Sequence, residues 1–383
     1  MLGAGWGSLA LLGALRGAPS IPTFQWDSGD TYQDHFDFGL ALGKTFKNLI
    51  QSRLASKDTQ TLLKLANNSS KGRDMYDKFL ALHQTKYPLA MAELSGLAKG
   101  AKLPLQHIFL QNIPEEFSAC SGAQKSPCDA CTDLMVCGNS DHNFCAIAHN
   151  EDGAAEDRGS LVLVRARFGS KSWIAATYAG DLPTGAFGVS QSGGFGFTLN
   201  WVGPNDAVCP GIGRGFVSRA SLDASDFEAA KGLIIDSAGT VASGHNYQLF
   251  KATPPSSIVN IEVAPRGLYS VRPVQDGSVF FHTNQYTTLQ VPQLLSNSST
   301  HRLERVGQLL KMHTPQNTSD LLSVLGDQAD IQWPVYHDEK SHERGDLSDW
   351  TLCTALVDLR EKRLRVFTGN PKFGHIVADE ALF

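Results

Sequence analysis

A cysteine and a carboxylate about 20 residues apart are the side chains of this sequence best suited to nucleophilic chemistry. Cys131 opens an apolar run after residues 121–129, which are rich in Gly, Ser, Pro and Lys, and Asp152 closes the next apolar run. A thiol must lose its proton to attack, and the sequence offers no obvious base near Cys131. If the bond between Ala130 and Cys131 is cut, the new α-amino group, with a pKa of about 8, can be that base. We therefore predict an N-to-S acyl shift at Ala130, followed by hydrolysis, which makes Cys131 an N-terminal nucleophile.

The other cysteines leave alternative interpretations open. Cys128 and Cys131 form a CxxC pair that could bind zinc or form a redox disulfide. A zinc site would need a second pair of ligands, and the nearest candidates, Cys137 and Cys145, lie in strands that are predicted to be buried. Cys131 could also be a small core side chain. The chain has seven cysteines, so in an oxidising compartment one thiol is left over. They are Cys120, Cys128, Cys131, Cys137, Cys145, Cys209 and Cys353.

Composition limits the class of protein. The 383 residues are 42% hydrophobic and 19% charged, which is typical of a globular chain. A net charge of -5, without a run of Lys and Arg, gives no reason to expect nucleic acid as a partner. No stretch approaches the roughly 20 apolar residues that a membrane span needs.

The N-terminus and four asparagines bear on the compartment. Residues 1–20 contain a short apolar run followed by small residues and predict a possible signal peptide, although no Lys or Arg precedes the run. Asn67, Asn68, Asn297 and Asn317 lie in glycosylation sequons. We expect the secretory pathway, ending in secretion or in the lysosome. A cytoplasmic location is the alternative, because such tripeptides also occur by chance.

Hydrophobic periodicity changes at Cys131. Before it, helical spacing predicts helices at residues 31–55, 59–66, 73–84 and 89–97, and Gly39 and Gly43 in the first would allow a close approach to another element. After it, the pattern predicts strands at residues 131–137, 144–149, 161–168, 173–178, 186–191, 194–201, 258–263, 268–271 and 278–284. Further helices are expected at residues 226–237, 300–312 and 318–325, before a final hairpin of residues 351–358 and 364–368. This order indicates an α+β layered protein.

Seven short segments stand in one order along the chain: residues 29–32 with 38–43, 131–133, 149–152, 193–200, 244–247, 282–285 and 299–302. Together they resemble the N-terminal-nucleophile (Ntn) cysteine hydrolases of the penicillin acyltransferase type. Within these, the resemblance is greatest to the group of N-β-alanyl-dopamine (carcinine) hydrolases. It covers nearly all of the chain beyond residue 20.

The resemblance implies roles for three residues. Cys131 matches the nucleophile, and Asp152 matches the carboxylate that positions the freed terminus. Asn284 matches the side-chain amide that donates to the oxyanion of the tetrahedral intermediate. Without the resemblance, Asp152 would read as a turn residue and Asn284 as an ordinary strand end.

Further residues match less specifically. Asn200 is a weaker candidate for the oxyanion or the substrate, with a turn residue as its alternative. Arg302, with Ser299 nearby, matches an arginine on the helix after the oxyanion strand; otherwise it would lie on a solvated helix face. Two departures stand out: the family usually has Gly where this chain has Ala130, and His149 stands where bile-salt hydrolases and acid ceramidase-like enzymes have an Arg shortly before the carboxylate.

The resemblance also implies the architecture. We expect a four-layer αββα sandwich of two antiparallel sheets between helix layers. After processing, residues 21–130 would form a small chain and residues 131–383 the catalytic large chain, associated as a heterodimer. No cofactor and no metal are expected.

We predict an autoprocessed enzyme that cleaves the amide bond of a small acylated amine, of the β-alanyl-amine type, by hydrolysis or acyl transfer. One alternative is a lysosomal fatty-acyl amide hydrolase resembling acid ceramidase. Another is a catalytically silent, secreted binding protein on the same fold, uncut and with every cysteine paired.

Two further motifs are not assigned a function. Residues 211–215 lack the spacing of a dinucleotide loop and are predicted to form a flexible turn, and residues 337–343 are predicted to form a solvated loop.

Overall fold

Helices make up most of the chain before Cys131. The computed structural model describes residues 21–121, 131–137, 144–183, 186–253, 255–275, 277–345 and 349–383. The predicted signal segment, residues 1–20, and the predicted cleavage residue Ala130 lie outside the described residues. A strand, β1 (Thr23–Ser28), comes first. It is followed by α1 (Tyr32–Thr45), α2 (Lys47–Arg53), α3 (Lys57–Asn67), α4 (Ser70–Lys86), α5 (Pro88–Ala101), α6 (Leu105–Gln111) and α7 (Pro114–Cys120).

Strands predominate after Cys131. They are β2 (Thr132–Cys137), β3 (Cys145–Ala154), β4 (Leu161–Phe168), β5 (Lys171–Tyr178), β6 (Phe187–Ser190), β7 (Phe195–Val202), β8 (Gly244–Lys251), β9 (Ser257–Ala264), β10 (Leu268–Pro273), β11 (Ser278–His282), β12 (Asp349–Asp358), β13 (Arg363–Thr368) and β14 (His375–Ala381). The helices among them are α8 (Arg214–Leu222), α9 (Phe227–Ser237), α10 (Asn297–Met312), α11 (Thr318–Leu325) and α12 (Glu339–Glu343). None of the helices in the described ranges is long and apolar enough to cross a membrane.

The strands form two sheets. The larger sheet has the order β1-β4-β5-β6-β7-β8-β9-β10 and is antiparallel except for the parallel pair β1 and β4. The smaller sheet has the order β11-β2-β3-β12-β13-β14 and is antiparallel throughout. Both edges of β2 are therefore hydrogen-bonded, to β11 and to β3. An interior strand of this kind fixes the backbone of the residues at its ends.

Apolar side chains alternate between three core regions and define four layers. Val162 of β4 packs against the helices of the first half and α8 and α9, whereas its neighbour Leu163 packs between the two sheets. In the smaller sheet, Ile147 of β3 faces the larger sheet and Ala148 faces α10 and α11. Successive strand residues point to opposite faces, so each sheet is covered on both sides. The predicted α+β sandwich, with helices outside two sheets, is confirmed.

The helix layer depends on a close crossing of α1 and α5. Gly39 and Gly43 of α1 lie against Gly96 and Gly100 of α5. A Cβ atom on Gly39 would overlap the Glu93 carbonyl group of α5. The close approach predicted for Gly39 and Gly43 is therefore confirmed.

The structure corrects three expectations. The single helix expected over residues 31–55 is two helices, because Phe46 leaves the helical region with φ -105° and ψ 19°. Residues 211–215 are not a flexible turn: Ile212 forms a β-bridge with Val241, and Gly213 directly precedes α8. The segment 337–343 is not a solvated loop, since His337 is buried and α12 begins at Glu339.

Two disulfides are present in the described chain. Cys120 is bonded to Cys209, and Cys137 to Cys145. Cys131 and Cys353 carry thiols. The zinc interpretation that used Cys137 and Cys145 is contradicted, because these two cysteines form a disulfide with each other. The catalytically silent binding protein stays an alternative.

Candidate active site

Cys131 directly precedes β2, inside the smaller sheet. Continuing the register of β2 with β11 by two residues places Asn284 beside Cys131. Continuing the register of β2 with β3 by one residue places Glu151 on its other side. Only 4% of Cys131 is exposed. The sheet therefore holds this thiol between an amide and a carboxylate.

Two side chains hold the backbone of Cys131. Its N–H donates to Asn284 Oδ1 at 2.9 Å, and Arg302 Nη1 donates to its carbonyl oxygen at 2.6 Å. Arg302 Nη2 also donates to Asn284 Oδ1 at 2.8 Å, so the two clamps are bonded to each other. A buried guanidinium has a large desolvation cost, which these charge-assisted bonds offset.

The N-terminal part of α10 positions this arginine. Ser298 Oγ accepts from Arg302 Nε at 3.1 Å, and Arg302 Nη1 also donates to Thr132 Oγ1 at 2.8 Å. Ser299 Oγ accepts from the backbone N–H of Asn284 at 3.1 Å. Arg302 is fully buried, so its alternative as a solvated helix residue is wrong.

The two candidate asparagines have different contacts. Asn284 meets Cys131 through its amide oxygen, while its Nδ2 donates to the Trp201 carbonyl oxygen at 3.1 Å. Nδ2 carries a second hydrogen, so donation to an oxyanion stays a prediction. Asn200 Nδ2 donates to the Thr283 carbonyl oxygen at 3.3 Å, which places it beside the residue before Asn284.

A chain of charged groups reaches the thiol. Cys131 Sγ lies 3.8 Å from Glu151 Oε2, which is 3.0 Å from His149 Nε2. His149 Nδ1 is 2.9 Å from Asp133 Oδ1, and Tyr178 donates to Glu151 Oε1 at 2.6 Å. Burial alone would lower the pKa of His149, but the charges and hydrogen bonds of Asp133 and Glu151 outweigh it and raise the pKa to about 10. His149 is therefore an imidazolium at neutral pH, and Glu151 is the carboxylate that can accept a proton from the thiol.

Asp152 does not face the thiol. It lies on the opposite face of β3, fully buried, with its carboxylate 3.8 Å from His337 Nε2. Burial raises the pKa of Asp152, against the opposing charges of His337 and Arg302. Its predicted role in positioning the freed terminus stays a prediction.

A band of buried polar residues crosses the inner face of the larger sheet beside this site, and we call it the polar seam. It consists of Thr198, Asn200, Asn246, Gln248, Asn260 and Glu262, all of them fully buried. Thr198 Oγ1 donates to Asp133 Oδ1 at 2.6 Å, which joins the seam to the His149 chain. Asn246 Nδ2 and Gln248 Nε2 have no hydrogen-bond partner among the described residues. Such groups can recognise a polar molecule held between the sheets.

The structure brings most of the predicted site residues together. Cys131, Asn284, Arg302 and Ser299 form one hydrogen-bonded group, and His149 joins it through Glu151. Sequence reasoning missed Glu151. The period-two alternation of a strand could have revealed it, because it places Glu151 on the same face as His149 and Asp152 on the other.

Donor atoms of Cys131, His149 and Glu151 lie within 4.8 Å of one another, a grouping that could hold a metal ion.

The four sequon asparagines lie on the surface. Asn67, Asn68, Asn297 and Asn317 are all exposed. Asn317 Oδ1 accepts from the Asp320 N–H at 3.0 Å and so caps α11. Glycosylation at these positions stays a prediction.

Two comparisons with known proteins bear on this site. Residues 138–373, well over half of the chain, match the family described as acyl-coenzyme A:6-aminopenicillanic acid acyl-transferase. A beta-alanyl-dopamine/carcinine hydrolase of Drosophila melanogaster is 24% identical over 362 residues, which cover 88% of this chain and 91% of that protein. The family match includes Asn284, Arg302 and both carboxylates of β3, and it begins seven residues after Cys131.

Proposed function

The chain belongs to the acyl-coenzyme A:6-aminopenicillanic acid acyl-transferase family, and from this premise we propose that it is an autoprocessed Ntn amidohydrolase with Cys131 as nucleophile. Its substrate is the amide of a small acylated amine. The observation that carries the proposal is the double clamp on the Cys131 backbone by Asn284 and Arg302. Side chains satisfy the backbone N–H and carbonyl of Cys131, and this fixes the position from which its sulfur attacks.

Maturation begins with the thiol. Glu151 takes the proton of Cys131 Sγ as the sulfur attacks the Ala130 carbonyl carbon. The tetrahedral intermediate collapses by breaking the bond from Ala130 to the Cys131 nitrogen, which receives a proton and becomes an amine. Water then hydrolyses the thioester, releasing the Ala130 carboxylate and restoring the thiol. The two resulting chains remain associated as a heterodimer.

Turnover reuses the same atoms. The freed α-amine takes the proton of the Cys131 thiol, and the thiolate attacks the substrate carbonyl carbon. Asn284 stabilises the oxyanion through its amide N–H, and the α-ammonium returns its proton to the leaving amine. Water resolves the thioester to the acid; a second amine in place of water gives acyl transfer.

The polar seam favours a short, polar substrate. Its amide donors, Asn246 Nδ2 and Gln248 Nε2, point between the sheets within the layer that holds Cys131. Donors of this kind suit a carbonyl or hydroxyl oxygen better than a fatty-acyl chain. Together with the carcinine hydrolase relative, this supports a β-alanyl-amine type of substrate. The two disulfides support an oxidising compartment, in keeping with secretion or the lysosome.

The test is the mass of the purified, reduced protein beside its activity. Wild-type protein should give fragments ending at Ala130 and beginning at Cys131, and Cys131→Ala should stay whole and inactive. A panel of β-alanyl amines and fatty-acyl amides then separates the two substrate classes. A single uncut chain without amide turnover, or full turnover by Cys131→Ala, contradicts the proposal; activity on fatty-acyl amides alone supports the acid ceramidase-like alternative.

A further inference from the structure

We propose that Cys131, His149 and Glu151 form a binding site for a thiophilic divalent cation, of which Zn²⁺ is the representative, and that the ion silences the Cys131 thiol. The three residues are buried, and their donor atoms lie within 4.8 Å of one another. A thiolate, an imidazole and a carboxylate are the three ligand types that zinc takes in proteins. This site is distinct from the CxxC arrangement, because it uses neither Cys128 nor the disulfide-bonded cysteines.

Two of the ligand-to-ligand distances are close to those of a tetrahedral ion, and all three lie within 4.8 Å. Zn–S bonds of about 2.3 Å and Zn–O or Zn–N bonds of about 2.0 Å set ligand-to-ligand distances of roughly 3.3–3.5 Å. In the structure Cys131 Sγ is 3.8 Å from Glu151 Oε2, and Glu151 Oε2 is 3.0 Å from His149 Nε2. All three residues belong to the paired segments β2 and β3, or directly precede them, so the backbone fixes their spacing.

Neighbouring groups orient each ligand as in natural zinc sites. Asp133 Oδ1 lies 2.9 Å from His149 Nδ1 and leaves Nε2 directed at the site. Tyr178 holds Glu151 Oε1 at 2.6 Å and leaves Oε2 directed at the thiol. Carboxylate–histidine pairs of this kind fix the ring and raise its basicity toward the metal.

The charge balance permits a dication, because two protons leave as the ion enters. The carboxylates of Asp133 and Glu151 contact His149 and stay beside it. Zn²⁺ replaces the thiol proton and the His149 Nε2 proton, both of which pass to solvent. The Zn–S bond uses one of the sulfur lone pairs and draws electron density from the others, which makes the sulfur a weaker nucleophile towards a carbonyl carbon.

Metal binding can be tested without reference to catalysis. In equilibrium dialysis with Zn²⁺ alone, wild-type protein should bind one tight ion per chain. Glu151→Gln and His149→Asn should each weaken binding at least tenfold. His313→Asn, which removes an exposed histidine paired with Asp320, should bind as wild type. Equal binding by all four proteins means an adventitious ion only and overturns the proposal.

Co²⁺ binding, followed by absorption spectroscopy, tests the proposed site even if the Glu151 and His149 variants fail to fold. Wild-type protein with Co²⁺ should show a thiolate-to-metal charge-transfer band, and one equivalent of Zn²⁺ should abolish it. Cys128→Ser and Cys353→Ser should keep the band, and Cys131→Ser should lose it. A missing band in wild type, or a band that survives in Cys131→Ser, overturns the proposal. Mg²⁺, which prefers oxygen ligands, should not compete.

Discussion

At the scale of single residues, each of the two faces of β3 carries one carboxylate. Glu151 lies beside the thiol, and Asp152 lies on the opposite face near His337. A one-residue step along a strand exchanges faces, so substitutions at these adjacent positions probe different steps.

Glu151→Gln should slow scission of the chain by about a hundredfold or more, because glutamine cannot take the thiol proton, and should slow amide turnover less, because the freed α-amine is the base there. Rates of fragment formation in reduced samples, and kcat/KM of processed protein, measure the effect. Asp152→Asn leaves the contact between the thiol and Glu151 in place and serves as the comparison. If Glu151→Gln is cut and active at wild-type rates while Asp152→Asn is not, Asp152 is the essential carboxylate.

Arg302→Lys should destabilise the protein by about 3 kcal/mol and reduce activity, because an ammonium cannot reproduce the fork that holds Cys131 and Asn284. Denaturant unfolding and kcat/KM report the two losses. Arg305→Lys is the matched control: Arg305 lies on the same helix, and its bonds to Asp327 are partly exposed. Its unfolding free energy should change by less than about 1 kcal/mol. Equal effects of the two variants would show that the buried clamp has no special role.

The sequence pointed to most residues of this hydrogen-bonded group but not to how they meet. Cys131, Asn284 and Arg302 stand far apart in the chain and could be related only through resemblance to a family. Glu151 and Tyr178 escaped notice because their positions depend on strand register and on the packing of one sheet against the other, which joins residues 27 positions apart. Asp133 looked like part of an apolar strand, and only the structure places His149 beside it.

At the scale of elements, the crossing of α1 and α5 is sensitive to a single carbon atom. Gly39→Ala should destabilise the protein by about 2–4 kcal/mol, because the new Cβ would overlap the Glu93 carbonyl group. Gly232→Ala in α9 is the control, since a Cβ there meets nothing within 4 Å. It should stabilise by about 0.5–1 kcal/mol through helix propensity. Chemical denaturation of both variants tests the prediction, and a neutral Gly39→Ala would contradict it.

Element prediction succeeded where one face of a strand or helix is apolar, as in β4, which matches its predicted residues 161–168. It fell short where buried faces are polar. β8 was missed because Asn246 and Gln248 break the apolar alternation, although both are fully buried in the polar seam. β3 runs to Ala154, beyond the predicted end at residue 149, since its last residues carry the charged groups of the site. The predicted terminal hairpin gains a third strand, β14, whose side chains are largely exposed.

At the scale of the whole molecule, some buried histidines make the fold less stable at acidic pH and another makes it less stable at alkaline pH. Burial lowers the pKa of His245 to about 3 and, against a bond to the Phe79 carbonyl, that of His83 to about 4. These neutral rings stabilise the fold above their unfolded pKa of about 6.5, and the contribution is lost as the pH falls towards 4 and 3. His149 has a raised pKa of about 10, so its contribution is complete below about 6.5 and is lost as the pH rises through 10.

Tm should therefore be greatest near pH 6.5 and fall on both sides. His149→Asn should lower the maximum and flatten the fall between pH 7 and about 10, since asparagine does not titrate. His245→Asn should instead flatten the acid side. Calorimetric scans across this range provide the test, and an alkaline side of unchanged steepness in His149→Asn would contradict the assignment.

The bridge between Cys120 and Cys209 spans the proposed scission point, since one sulfur precedes residue 130 and the other follows it. Severing the backbone there would leave a covalently tethered molecule, heavier than its precursor by one water. Electrophoresis without a reductant would then report a single full-length band for a fully matured enzyme. The tether also makes assembly of the two pieces independent of concentration, so dilution alone would not separate the piece that ends at Ala130 from the one that begins with the nucleophile.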